Sequence, residues 1–353
     1  MAKKPKMSHL ATILDIARIA KVSPSTVSRA LREETVHLVK PDKLKRIQEV
    51  MDDVNYSPSR LARGLRNSRT KTINLVVNYS PNVFQTEIVP RLIAGITEVL
   101  VESGYELKLC MQRERASLMK LREYFTDSDG VIYASHRLSD EELNFLKSRS
   151  KDCVVLEDCI PVHWPIEKCG FSTVGVNNED GCAEMVRHLV KAGHRKIAFV
   201  KGLADSRDAE ERYKGYIRAM GEAGLEVDAR WIIQGNFMEE SGREAIRFIH
   251  RQLPEITACV FASDEMAVGA LDEAKSLGLQ LPKDFSIAGY DNTRLSRFCW
   301  PKLTTVDQPR EKIGVSAAKC LLEQVRADGA KVQHLRIPHQ IHLRESTGTP
   351  RKS

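Results

Sequence analysis

From residue 73 onward the chain alternates short β-rich runs with helix-length amphipathic stretches, and this alternation constrains the fold most. The runs INLVV (73–77), YELKLC (105–110), GVIYA (130–134) and CVVLE (153–157) form one set. TVGV (173–176), KIAFV (196–200), ACVFA (258–262) and FSIAGY (285–290) form a second. Between them lie stretches such as EIVPRLIAGITEVLVESG and DGCAEMVRHLVKAG. Strands alternating with helices require parallel sheets and right-handed crossovers. Two such series predict two similar α/β lobes. A chain of 353 residues, 42% hydrophobic, is long enough to build both and a further small domain. No stretch approaches the ~18 consecutive apolar residues of a membrane span. Lys3, Lys4 and Lys6 precede an apolar stretch that Asp15 and Arg18 interrupt, so no secretory core is read there.

Charge divides the chain differently. Residues 1–72 hold 16 Lys/Arg against 7 Asp/Glu, whereas the rest hold 38 against 40. The whole excess of +7 therefore belongs to the first fifth of the chain, which points to a polyanionic partner for that part alone. The eight cysteines show no C-x-x-C pair and no regular spacing; they are read as buried thiols, with neither a disulfide framework nor a metal site.

The basic head carries helical punctuation. In ATILDIARIAKVSPSTVSRAL, Thr12 and Asp15 make a capping box, and Ile13, Ile16, Ala17 and Ala20 recur at helical spacing. Ser23 is a second N-cap and Pro24 suits the first helical position. Val27, Ala30 and Leu31 give the second helix a buried side, leaving Ser25, Thr26, Ser28 and Arg29 on the other. Short hydroxyls near phosphates and one long donor that reaches a guanine edge suit a helix in the major groove. A third helix is expected from about Pro41 to Val54, with Leu44, Ile47, Val50 and Met51 inward. The segment NYSPSRLARGLRNSRTKT follows, with Leu61 and Leu65 on one face among Arg60, Arg63 and Arg66. About eight residues cannot hold a helix unaided, and a leucine among arginines has the composition of a minor-groove wedge.

These two segments, ATILDIARIAKVSPSTVSRAL and NYSPSRLARGLR, resemble the DNA-binding head and hinge of the lactose-repressor/galactose-repressor (LacI/GalR) family of bacterial transcription regulators. The resemblance in layout extends from about Ala11 to Thr349. It implies a helix-turn-helix head (1–56), a hinge helix and linker (57–72), and a two-lobed effector domain like the periplasmic sugar-binding proteins. The first lobe would comprise 73–174 plus about 305–335, and the second 175–304 plus about 336–349, with crossings near 174, 305 and 335. Pro24, Ser25 and Arg29 match positions that read bases, and Leu65 matches the hinge leucine that intercalates at the operator centre. Lys21 departs from the family, which favours glycine in the turn, and the 32–39 loop is about two residues longer than in many members.

In open α/β sheets, ligands bind beyond the carboxyl ends of strands. Residues there that match ligand positions of the family are Phe84, Gln85, Ser135, Asp158, Arg212, Phe237, Asp264 and Asp291. Carboxylates that accept pairs of hydroxyl hydrogens, a guanidinium fork and two aromatic faces suit a polyhydroxylated effector, a sugar or sugar derivative. Arg207 and His136 add the option of an anionic sugar. The chain lacks G-x-G-x-x-G, P-loop, H-E-x-x-H and G-x-S-x-G motifs, and DSDG (127–130) is read as a turn, so neither enzyme activity nor a cofactor is expected. The alternatives are a solute-binding transport receptor, which would have a signal peptide and no basic head, and an enzyme with a regulatory head. The expected protein is a cytoplasmic, nucleoid-associated homodimer, without the leucine heptads that would make a tetramer. It would bind a pseudo-palindromic double-stranded operator, with effector binding coupled to hinge folding.

Overall fold

The computed structural model describes residues 11–31, 35–56, 69–79, 83–113, 118–134, 137–327 and 331–351. They belong to two compact units, 1–70 and 71–353. The hinge with Leu65 and Arg66, and the loop positions Ser135 and His136, lie outside the described residues.

The head consists of α1 (Ile13–Ala20), α2 (Pro24–Ala30) and α3 (Pro41–Asp53). Thr12 and Asp15 form the reciprocal capping box that opens α1. Ser23 caps α2 by accepting the Thr26 amide at 3.2 Å, and Pro24 begins the helix without an amide to satisfy. Ile16, Ala17, Ala20, Val27, Ile47 and Val50 pack into one small core. Lys21 ends α1 in the left-handed conformation, with φ +53°. A side chain there is unfavourable by about 1–2 kcal/mol, which explains why glycine suits this turn.

The body contains two six-stranded sheets. The first joins β1 (Thr72–Asn78), β2 (Glu106–Gln112), β3 (Gly130–Ala134), β4 (Cys153–Leu156), β5 (Ser172–Val176) and β11 (His334–Ile337) in the order β2-β1-β3-β4-β5-β11. The second joins β6 (Ile197–Lys201), β7 (Ile232–Gln234), β8 (Ala258–Phe261), β9 (Ser286–Asp291), β10 (Thr304–Asp307) and β12 (Gln340–His342) as β7-β6-β8-β9-β10-β12. The two lobes thus repeat one topology. Every strand pair is parallel except β10 with β12. The central strands are buried on both faces, as parallel strands covered by helices must be.

Strand membership moves the expected crossings. TVGV belongs to β5 of the first sheet rather than to the second set of strands, and TTVD (304–307) extends the second sheet as β10, between β9 and β12. The chain therefore passes between lobes after 176, after 307 and between 337 and 340, about three residues later than expected each time. The physical reason is that a strand runs until its pairing ends: the expected crossings at 174, 305 and 335 fall inside β5, β10 and β11.

The helices include α4 (Ile88–Glu102), α7 (Asn178–Lys191), α8 (Arg207–Glu222), α9 (Glu239–Gln252), α10 (Asp264–Ser276) and α12 (Arg310–Arg326); the short helices α5 (Leu118–Tyr124), α6 (Asp140–Lys147) and α11 (Arg294–Phe298) complete the series. Helix α12 lies against α4 so closely that a Cβ on Gly95 would collide with the Glu311 carbonyl, and one on Gly314 with the Leu92 carbonyl. That contact fixes the crossover helix on the first lobe and sets Arg310, its first residue, at the boundary between lobes. No helix among the described residues is long and apolar enough to cross a membrane.

Candidate functional sites: an exposed helix face and an interlobe boundary

In the head, the outer side of α2 is built by its cap. The Ser23 hydroxyl stands 2.8 Å from both the Ser25 and Thr26 hydroxyls, so the start of the helix presents a linked set of small polar groups. Ser23, Pro24, Ser25 and Arg29 are exposed, and Thr26 and Ser28 are half-buried. Arg29 occupies the last turn, and Val27 on the opposite face is fully buried. The Thr35 hydroxyl donates to the Arg29 carbonyl at 3.1 Å, which ties the following loop to the end of α2. Leu14 and Leu38 are exposed apolar side chains of the same unit.

In the body, the strand ends bring Arg212, Asp291 and the half-buried Asp158 into one chain of charges. Arg212 lies on α8, 2% exposed. Its guanidinium donates to the Asn178 side-chain carbonyl at 2.9 Å and the Ala262 carbonyl at 2.5 Å, and lies 3.4 Å from Asp208 and 3.5 Å from Asp291. It also sits 3.9 Å above the Tyr290 ring. Asp208 accepts in turn from Asn178, Gln308 and Arg310, and Arg310 reaches Asp158 at 3.1 Å. The order Asp158–Arg310–Asp208–Arg212–Asp291 therefore runs from the first lobe through the crossover to the second. Arg310 Nε and Gln308 Oε1 have no hydrogen-bond partner among the described residues, and both residues line a space of about 10 Å³. Burial raises the Asp291 carboxyl to about 6, against the pull of Arg212 and Arg310.

The other predicted residues divide. Phe237, held at φ +69°, lays its ring where a Cβ on Gly202 would be, 5.9 Å from Arg212. This places it at the carboxyl end of β6, beside β8, where the strand order of the second sheet reverses. Asp264 is fully buried. One of its oxygens accepts from the Thr305 hydroxyl at 2.5 Å, and the other from the Thr293 amide at 2.7 Å. Its role is to pin the strand ends of its own lobe, and burial holds its carboxyl well above the usual range. Phe84 and Gln85 are exposed in a turn before α4. Arg207, read from sequence as a group for an anionic ligand, spends its donors on the carbonyls of Ile160, Pro161, Val162 and Trp164 and on Glu211. It is therefore an interlobe contact rather than a free cation.

Sequence reading missed Asp208, Arg310, Asn178 and Gln308. The spacing of Asp208 and Arg212, one helical turn apart, was the available signal. Arg310 left none, because its partners lie 152 and 102 residues away in the chain. The lobes also enclose a cleft of about 780 Å³ whose walls include Arg137, Asp140, His163, Asp205 and Glu210. All eight cysteines are free thiols, and no cluster of metal-ligating side chains occurs among the described residues.

Residues 12–59 match the model of the bacterial regulatory proteins of the lacI family, and residues 186–347 that of the periplasmic binding protein-like domain. The chain is 32% identical to the HTH-type transcriptional repressor PurR of Photobacterium profundum, over 96% of this chain and 98% of that one. It is 33% identical to catabolite control protein A of Priestia megaterium, over 95% and 99%. Among solved structures, the transcriptional regulator CelR in complex with cellobiose superposes with a TM-score of 0.72 at 27% identity, covering 95% of this chain and 99% of that one.

Proposed function

The chain belongs to the LacI family of bacterial transcription regulators, and from that premise we propose a homodimeric repressor that grips a pseudo-palindromic operator and answers to a sugar or sugar derivative held between its lobes. The observation that carries this reading is the charge chain from Asp158 to Asp291, built from both lobes and from the crossover between them. Such a chain makes the lobe boundary sensitive to anything that competes for its partners. A ligand bearing many hydroxyls can donate to the Asp158 and Asp291 carboxylates and stack an apolar face on Phe237. Cellobiose in the related CelR complex is a ligand of that chemistry. Ser135, Phe84 and Gln85 would complete the first-lobe wall.

On DNA, α2 would enter the major groove with Ser23, Pro24, Ser25, Thr26, Ser28 and Arg29 toward it. Its N-terminal amides and hydroxyls would meet phosphates and Arg29 a base edge. Pro24 offers only shape and apolar contact. Leu65, with Arg66 beside it, would wedge the central minor-groove step of the operator. The apolar side chains of Leu295, Phe298 and Trp300, exposed on the second lobe, are candidates for cover by a second copy. The protein would act in the cytoplasm, on the nucleoid, as a binding protein without catalysis or cofactor.

A thermal-shift screen of neutral sugars, sugar acids and nucleobases tests the effector class, because a ligand of the folded state alone raises the melting temperature by mass action. A sugar that stabilises the wild type but not Asp291→Ala is the expected result. A response confined to nucleobases would overturn the carbohydrate assignment and leave the regulator assignment standing. For the hinge, Leu65→Ala should weaken operator binding and reduce DNA bending; an unchanged bend would remove the wedge.

A further inference from the structure

The two lobes are joined by more than the three crossovers. Arg207, the first residue of α8 in the second lobe, is 8% exposed and reaches into the first lobe. Nε donates to the Ile160 carbonyl at 3.0 Å. Nη2 lies 2.7 Å from the Pro161 carbonyl, 2.6 Å from that of Trp164 and 3.5 Å from that of Val162. Nη1 holds Glu211, one turn along the same helix, at 3.2 Å. The 160–164 segment follows the single 3₁₀ turn Glu157–Cys159 and belongs to no strand, so its carbonyls have no ladder partners. One planar cation answers several of them at once. Nearby, Arg137 of the first lobe meets Asp205 of the second at 2.7 Å, but that pair is exposed and therefore weak.

We infer that Arg207 helps set the angle between the lobes, by clasping the 160–164 segment, and that it positions the effector-binding groups without touching the effector. The link is the helix itself. Asp208 and Arg212 follow Arg207 on α8 and hold the middle of the charge chain, so a movement of α8 relative to the first lobe shifts their distances to Asp158 and Arg310. The carbonyls hold the guanidinium from the other lobe, and Glu211 accepts from Nη1 on the helix side. The lobe angle follows from geometry alone; the consequence for an effector rests on the function proposed above.

The test is an interlobe distance measured on the full-length chain without DNA or ligand. Spin labels on Glu102→Cys in the first lobe and Arg251→Cys in the second, in a Cys299→Ser background, report it by pulsed electron resonance. Arg207→Met should add a longer-distance population absent from the parent. Arg207→Lys, which keeps the charge but loses the fork, should give an intermediate distribution. Glu211→Gln, which leaves the carbonyl bonds in place, should match the parent. A parental distribution in both Arg207 variants, with unchanged circular dichroism, would overturn the inference. If Arg207→Met does not fold, Arg207→Lys decides alone: a distribution identical to the parent refutes the clasp. Neither outcome depends on operator or effector binding, so failure here is distinguishable from failure of the proposed function.

Discussion

The head and the body handle charge in opposite ways. Around α2, Ser23, Pro24, Ser25 and Arg29 are exposed, and the core beneath them is a handful of aliphatic side chains. In the body, Arg212, Asp208, Asp291 and Arg310 are buried and are partnered first by one another. An exposed cation gains its energy only when a polyanion arrives, and salt screens it. A buried chain of ions is costly to desolvate and costly to break, and its use is to specify one arrangement of the parts that carry it. The head is therefore tunable residue by residue, whereas the charge chain behaves as a unit.

The sharpest way to break this contrast is to remove one link of the chain. Arg212→Ala leaves Asp208 and Asp291 buried without their shared cation and should destabilise the body by about 3–5 kcal/mol, read as loss of its cooperative melting transition. The loss should be smaller at pH 5 than at pH 8, because burial already favours the protonated Asp291 carboxyl and removing its cation favours it further.

Glu157 supplies the next test. It lies at the end of β4 with Arg336 3.5 Å away, and burial raises its carboxyl to about 7. In the unfolded chain the group titrates near 4.5. Unfolding therefore releases a proton between these values, and stability falls as pH rises from about 4.5 to 7. Glu157→Gln should flatten that slope and stabilise the body above pH 7 by about 1–3 kcal/mol in urea titrations at several pH values. An unchanged slope would place the titration elsewhere.

In the head, Arg29→Ala should cost roughly 1–3 kcal/mol of discrimination between operator and mismatched sites, while its melting temperature barely moves. An equal loss on every sequence would make Arg29 a phosphate contact. The smallest effect is expected at the turn: Lys21→Gly relieves the left-handed strain and should stabilise the head by about 0.5–1 kcal/mol in thermal melts.

The same contrast governs what could be read early. The capping box of Thr12 and Asp15, the Ser23 cap with Pro24 behind it, and the inward face of α1 all involve residues within a few positions of one another. Local spacing is sufficient evidence for such features. The strand runs were legible for a related reason, since β-branched runs between amphipathic helices have few other uses. Their ends were not: β5, β10 and β11 end where pairing to a neighbour stops, and that neighbour is distant in sequence. Asp264 matched a ligand position, yet its carboxylate is occupied by Thr293 and Thr305, which no spacing rule connects to it.

By itself the sequence determined the basic three-helix head, the alternating two-lobed body and the family to which they point, because caps, periodicity and charge asymmetry act over one or two turns of chain. Only the tertiary structure decided which charges share a boundary. Arg310 meets Asp158 and Asp208, and Arg207 meets the 160–164 carbonyls, because three crossovers fold distant segments against one another and burial then forces each polar group to find whichever partner lies within reach.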